Sequence, residues 1–137
     1  MHPVVQIDQL AGHADQTVTL AGWVYNARVS SKVVFLVVRD GTGLCQCVVG
    51  KADVPPEIFD RAAHLGQESS LRLTGSVHAD PRAPGGYEIH VSDLQAVHST
   101  TDYPISPKAH GIDFLFKHRH LWLRSRRPTA IMRIRHT

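Results

Sequence analysis

The sequence predicts an all-β domain with one short helix, a five-stranded Greek-key barrel, followed by a linker and a truncated helical tail. Three observations carry this prediction. Five stretches are rich in β-branched and aromatic residues with apolar positions at alternate places, clusters of turn residues separate them, and one stretch between the third and the fourth has apolar residues at helical spacing instead. A chain of 137 residues with 42% apolar and 20% charged residues has room for one domain with a core plus an appendage. Its composition excludes a disordered or low-complexity chain.

The elements follow in order. Val18–Tyr25 is the first strand, with Gly22 as the expected site of a bulge or bend. Val33–Arg39 and Leu44–Val49 are the second and third, joined as an antiparallel hairpin by Asp40-Gly41-Thr42-Gly43, whose glycines can supply the positive φ of a tight turn. Pro55 and Pro56 suit a helix start, Ile58, Phe59, Ala62 and Leu65 share a helical face, and Gly66 can end the helix. Leu71–Val77 is the fourth strand, with Leu71, Leu73 and Val77 on one side. Asp80-Pro81-Arg82-Ala83-Pro84-Gly85-Gly86 is turn chemistry throughout, and Tyr87–Val91 is the fifth strand. This order is that of the OB-fold, whose second and third strands present a face to oligonucleotides or oligosaccharides. An SH3-like barrel accounts less well for the helix after the third strand.

The expected domain organisation is a barrel over residues 1–98, a linker or hinge over 99–113 that contains Pro104 and Pro107, and a helical segment over 114–137. In that last segment helices are expected on either side of Pro128. Ile131, Met132 and Ile134 need a partner surface, which suggests an element cut off before a second domain. The longest apolar run, Val33–Val38, is far short of a membrane span, and Met1-His2-Pro3 does not open a leader sequence. With Cys45 and Cys47 two apart in an apolar stretch, a disulfide framework is excluded, and a cytoplasmic protein is expected.

Charge is unevenly distributed. Residues 1–107 carry 7 basic against 11 acidic residues, a balance of −4, whereas residues 108–137 carry 8 basic residues against Asp113 alone, a balance of +7. Generic phosphate attraction by the barrel is therefore weak, and any nucleic acid it binds must be held by a few well-placed residues.

Strand parity nominates those residues. If Val34, Leu36 and Val38 line the interior, Phe35 points outward, either as a stacking platform for an unstacked base or as a residue packed under a loop. If Cys45, Cys47 and Val49 are interior, Gln46 is outside, where its amide offers an acceptor and two donors that match the pairing edge of uracil. Arg28 and Lys32 precede the second strand and add positive charge near this face. With Tyr87, Ile89 and Val91 inward, Glu88 and His90 face out, and a carboxylate there suits base N–H donors such as those of guanine. No catalytic residue is nominated, because the Ser, Asp and Glu residues form no nucleophile arrangement. No metal site is expected from the ten histidines, none of which has zinc-ligand spacing to a cysteine. The glycine pairs lack a phosphate-loop lysine pattern.

Gly22-Trp23-Val24 through Arg28, Phe35, Arg39-Asp40-Gly41-Thr42-Gly43 and Gln46 resemble the anticodon-binding OB domain of the class II aspartyl, asparaginyl and lysyl tRNA synthetases. Asp80-Pro81-Arg82-Ala83-Pro84-Gly85-Gly86-Tyr87-Glu88, Tyr103-Pro104-Ile105 and His110-Gly111-Ile112-Asp113-Phe114-Leu115 extend the resemblance over nearly the whole chain. His118-Arg119-His120-Leu121-Trp122-Leu123-Arg124-Ser125 is most similar to the asparaginyl branch, whose relatives elsewhere carry Tyr-Leu-Asp-Leu-Arg. The resemblance implies that Phe35 stacks on the middle anticodon uracil, that Gln46 reads its edge, and that Arg28, Lys32 and Glu88 act beside them. For the full enzyme it implies asparagine activation by ATP and magnesium, transfer to tRNA(Asn), a separate catalytic domain and a homodimer. The present residues contain neither ATP-binding arginine motif, so this chain is expected to bind RNA without aminoacylating it and to need no cofactor itself. Ser30-Ser31-Lys32 departs from the glycine that relatives often carry before the lysine. The competing readings are a non-discriminating aspartyl enzyme, a free-standing OB protein for single strands, and a protein-interaction barrel.

Overall fold

A computed structural model describes residues 2–106, 108 and 110–137, so Met1, Pro107 and Ala109 lie outside the described residues. The chain divides into two compact units, residues 1–101 and 102–137.

The first unit is a closed barrel with strand order β1-β2-β3-β5-β4, built from β1 (Thr17–Val29), β2 (Val33–Arg39), β3 (Leu44–Gly50), β4 (Ser70–Ala79) and β5 (Tyr87–His98). Neighbouring strands run antiparallel except at β3 and β5, which pair in parallel through Gln46–Val48 and Glu88–His90 and so complete the OB-fold closure. Parity fills the interior as expected: Val34, Leu36, Val38, Cys45, Cys47, Val49, Leu71, Leu73, Val77, Ile89 and Val91 are all buried. Their β-branched or compact side chains fit a pleated wall that hides every second residue. The helix α1 (Pro56–Ala63) buries Ile58 and Ala62 against β2, β3 and β5. It ends at His64 rather than at Gly66, so Leu65 is buried from outside the helix.

Three local expectations are corrected. Neither Gly41 nor Gly43 adopts a positive φ. The hairpin is closed instead by the Asp40 carboxylate, whose Oδ1 accepts from Thr42 N at 2.7 Å, Thr42 Oγ1 at 2.6 Å and Gly43 N at 3.1 Å. Its Oδ2 accepts from Ile7 N at 2.8 Å. That bond anchors a 3-10 segment, Ile7–His13, which buries Ile7 and Leu10 and which no periodicity in the sequence announces. The bulge of β1 lies at Tyr25, between the Val24 and Asn26 register positions, not at Gly22. Gly22 is required for a different reason, since a Cβ there would overlap the Arg39 carbonyl oxygen. Finally, β1 and β5 are longer than predicted, reaching Val29 and His98.

Between α1 and β4, Glu68 adopts φ 66° and pairs with Arg39 through two hydrogen bonds of 2.6 and 2.7 Å. Glu68 N also donates to Val24 O at 2.6 Å, so this corner ties β1, β2 and the start of β4 together. Thr100 donates its N–H to Ser69 Oγ at 3.0 Å, fastening the chain after β5 to the same corner.

The second unit contains α2 (Ile112–Lys117), a 3-10 segment Arg119–Arg124 and α3 (Arg126–His136). His110, Phe114 and His118 stack at i,i+4 spacing with centroid separations of 4.3 and 4.6 Å, and Arg119 lies over the Phe116 and Trp122 rings. Pro128 does not separate two helices: the break falls at Ser125, and Pro128 occupies the first turn of α3, where its missing N–H has no helical partner to lose. Ile131, Met132 and Ile134 are exposed. Among the described residues no helix is long and apolar enough to cross a membrane.

Candidate nucleic-acid interface

Register places the outward side chains of the barrel in two adjacent rows. One runs Asn26, Val37, Gln46, Glu88, His78 across β1, β2, β3, β5 and β4. The other runs Arg28, Phe35, Val48, His90, Ser76 over the same strands. Four of the five residues nominated from sequence thus share one continuous face, while the exposed Lys32 lies at its edge in the β1–β2 turn, its carbonyl accepting from Lys51 N at 2.9 Å.

The bulge at Tyr25 is what brings Arg28 there. In unbroken alternation Arg28 would fall on the same side of β1 as the buried Val24; the extra residue reverses the parity, so Arg28 stands opposite Phe35 on the outer face. Its guanidinium carbon lies 4.6 Å from the Phe35 ring centroid. This cation–π contact steadies the half-buried ring.

At the β3–β5 seam the Gln46 amide donates to Glu88 Oε2 at 3.2 Å, and Glu88 Oε1 lies 2.9 Å from His90 Nε2. His90 in turn stacks on His78, centroids 4.1 Å apart, and His78 Nε2 meets Ser76 Oγ at 2.9 Å. Glu88 is therefore a hub that orients Gln46, with the amide oxygen of Gln46 left to other partners. Behind this wall the Cys45 thiol, then burial, push the Cys47 thiol well above its ordinary value, and the Glu88 charge adds to the shift. Both cysteines are buried and unbridged.

Sequence reasoning missed Asn26, Ser76 and His78. The alternation around the buried Val77 carries enough signal to turn Ser76 and His78 outward, but Asn26 is legible only once the bulge is located.

Comparison with known proteins gives this face its context. Residues 18–97 match the tRNA anticodon family model, described as an OB-fold nucleic acid binding domain. The chain belongs to that family. The chain is 54% identical over 131 residues to the asparagine–tRNA ligase of Symbiobacterium thermophilum, covering 96% of this chain and 30% of the relative. It is 55% identical over 132 residues to the asparagine–tRNA ligase of Thermus thermophilus, again covering 96% and 30%. The crystal structure of asparaginyl-tRNA synthetase from Pyrococcus horikoshii complexed with asparaginyl-adenylate superposes with a TM-score of 0.86 at 39% identity, covering 98% of this chain and 32% of that one. The chain thus spans about 30% of the length of the ligases it matches. The OB-fold expected from the element order is borne out, and the resemblance to the asparaginyl branch with it.

Proposed function

We propose that the outer face of the barrel reads the GUU anticodon of tRNA(Asn) as the anticodon-binding part of an asparagine–tRNA ligase. The observation that carries this is the assembly on one face of an aromatic platform backed by a guanidinium, Phe35 with Arg28, and an amide oriented across the seam, Gln46 with Glu88. In this reading Phe35 stacks on the middle uracil and Gln46 pairs with its edge. Arg28 and Lys32 meet backbone phosphate, and Glu88 serves a flanking base. The balance of −4 over residues 1–107 supports a reader that depends on a few specific contacts rather than on generic charge.

The proposal extends to the whole protein: a cytoplasmic homodimer that activates asparagine with ATP and magnesium in a separate catalytic domain and esterifies tRNA(Asn). Among the described residues no group of three or more His, Cys, Asp or Glu side chains gathers that could hold a cation. No step of the present reading passes through ATP or the metal, and this chain acts by binding and orienting RNA.

The test is a titration, at one fixed salt concentration, with an anticodon stem-loop bearing GUU and with the same stem-loop altered at the middle base. A base stacked on an aromatic ring contributes about 1–3 kcal/mol, so Phe35→Ala is expected to weaken GUU binding about 5- to 150-fold. Gln46→Ala should reduce the preference for uracil. Equal binding of both RNAs by the parent chain would sink the proposal and assign the affinity to the basic residues 108–137.

A further inference from the structure

The chain of contacts beyond Glu88 has no part in the reading above. Both Glu88 oxygens are engaged, one by the Gln46 amide and the other by His90 at 2.9 Å. The Glu88 side chain is 15% exposed and that of His90 50%, so the imidazole is the outer member of the pair. It sits in the Phe35 row, separated from the ring by Val48 alone.

We propose that His90 is a proton-dependent RNA contact, whose protonation cancels the Glu88 charge on this face and presents an imidazolium N–H to RNA phosphate or a base acceptor. The proposal rests on the anticodon-face reading and names a further residue of it.

An ionised carboxylate among RNA contacts repels the backbone, and a cation bonded to it removes that repulsion. Imidazole is the side chain whose charge changes between pH 5 and 8. The His78 ring stacks on that of His90 with centroids 4.1 Å apart, and two like charges at that separation repel one another. Among the described residues, the groups that face His90 from the neighbouring strands are these. The outward residues of β3 are Gln46 and Val48, and β2 offers Phe35, with Arg28 of β1 above it. From β4 come His78 and Ser76, and after it Asp80, whose carboxylate has Arg82 at 3.8 Å. Beneath lies Cys47, whose thiol is kept neutral. By linkage, if protonation favours RNA, RNA favours protonation by the same factor.

The experiment measures binding of the GUU stem-loop from pH 8 to pH 6 at several salt concentrations, with the middle-base variant measured alongside at pH 8. Affinity is expected to rise about fivefold to tenfold on acidification, and the dependence of log K on log salt to steepen by about 0.7 at pH 6, the value of one additional phosphate contact on a single strand. His90→Gln should flatten both trends, whereas His64→Gln, an exposed histidine beside α1, should leave them as in the parent. A flat parental profile, or one of the same size in His90→Gln, overturns the proposal. In that event, persistent middle-base discrimination at pH 8 leaves the anticodon reading standing, and its absence removes both.

Discussion

Asp40 offers a test of how the Asp-Gly-Thr-Gly turn supports the barrel. Its carboxylate accepts four hydrogen bonds, three from the turn and one from Ile7 N, which starts the 3-10 segment carrying the buried Ile7 and Leu10. Hydrogen bonds to a charged group contribute about 1.5–3 kcal/mol each when no water replaces them. In Asp40→Ala the turn donors, which lie near solvent, recover much of that from water. Ile7 is itself a buried residue, and losing the partner of its N–H loosens the buried Ile7 and Leu10 side chains as well. We therefore expect a loss of about 2–4 kcal/mol. Asp40→Asn keeps an acceptor for the turn but sets an amide N–H₂ or a weaker oxygen toward Ile7 N, so it should lose about half as much, roughly 1–2 kcal/mol. The assay is urea unfolding followed by the fluorescence of Trp23, in a Trp122→Phe background so that only the barrel reports. The midpoint should fall with the slope unchanged, and amide exchange at Ile7 should accelerate in both variants. An Ala variant within about 0.5 kcal/mol of its parent would refute the role given to Asp40, because ordinary surface substitutions fall in that range.

Other expectations follow from the same description. Arg39→Met removes both bonds to Glu68, whose side chain is only 5% exposed, and should cost about 3 kcal/mol in urea unfolding; a change below about 1 kcal/mol would mean that the corner is held without the pair. Gly75→Ala places a Cβ against the His90 carbonyl and the Ile89 side chain, opposite the β5 bulge at Ser92, and is expected to lower stability by about 1–3 kcal/mol or more, with a neutral melting curve as the contrary result. Because the Cys47 thiol is raised well above its ordinary value, it stays protonated in the barrel while an unfolded chain ionises near pH 8.5. Stability is thus unaffected below that pH and falls as pH rises above it, and Cys47→Ala should remove that part of the fall in denaturation curves taken from pH 7 to 10. Thiol reagents should likewise react with neither cysteine until the barrel unfolds.

What was legible in the sequence is what depends on local period. A barrel wall hides every second residue, so Val34, Leu36 and Val38 against Phe35, and Cys45 and Cys47 against Gln46, announce their sides without any knowledge of partners. The helix over Ile58 and Ala62 is readable for the same kind of reason. Features made by residues far apart in the chain were not. The Ile7–His13 segment exists because of an oxygen on Asp40, 33 residues away, and the conformation of Glu68 is fixed by Arg39, 29 residues away. Turn chemistry misled in one respect, for Asp40 closes the hairpin by side-chain acceptance, and the glycines there need no positive φ. Within the candidate site, Phe35, Gln46 and Glu88 followed from alternation, whereas the orientation of Arg28 depends on a residue that interrupts it.

That interruption has a consequence for how such a face can change over time. The extra residue at Tyr25 acts as a parity bit: every side chain of β1 after it obeys the opposite inside-outside rule from those before. Substitutions at Asn26 or Arg28 alter one contact each. Gain or loss of a single residue between Val24 and Asn26 would instead exchange the whole row, sending Arg28 toward the core and Ala27 toward the outer face. A lineage can therefore explore new chemistry on this wall by point replacement, while length variation has to be confined to the turns that join the strands.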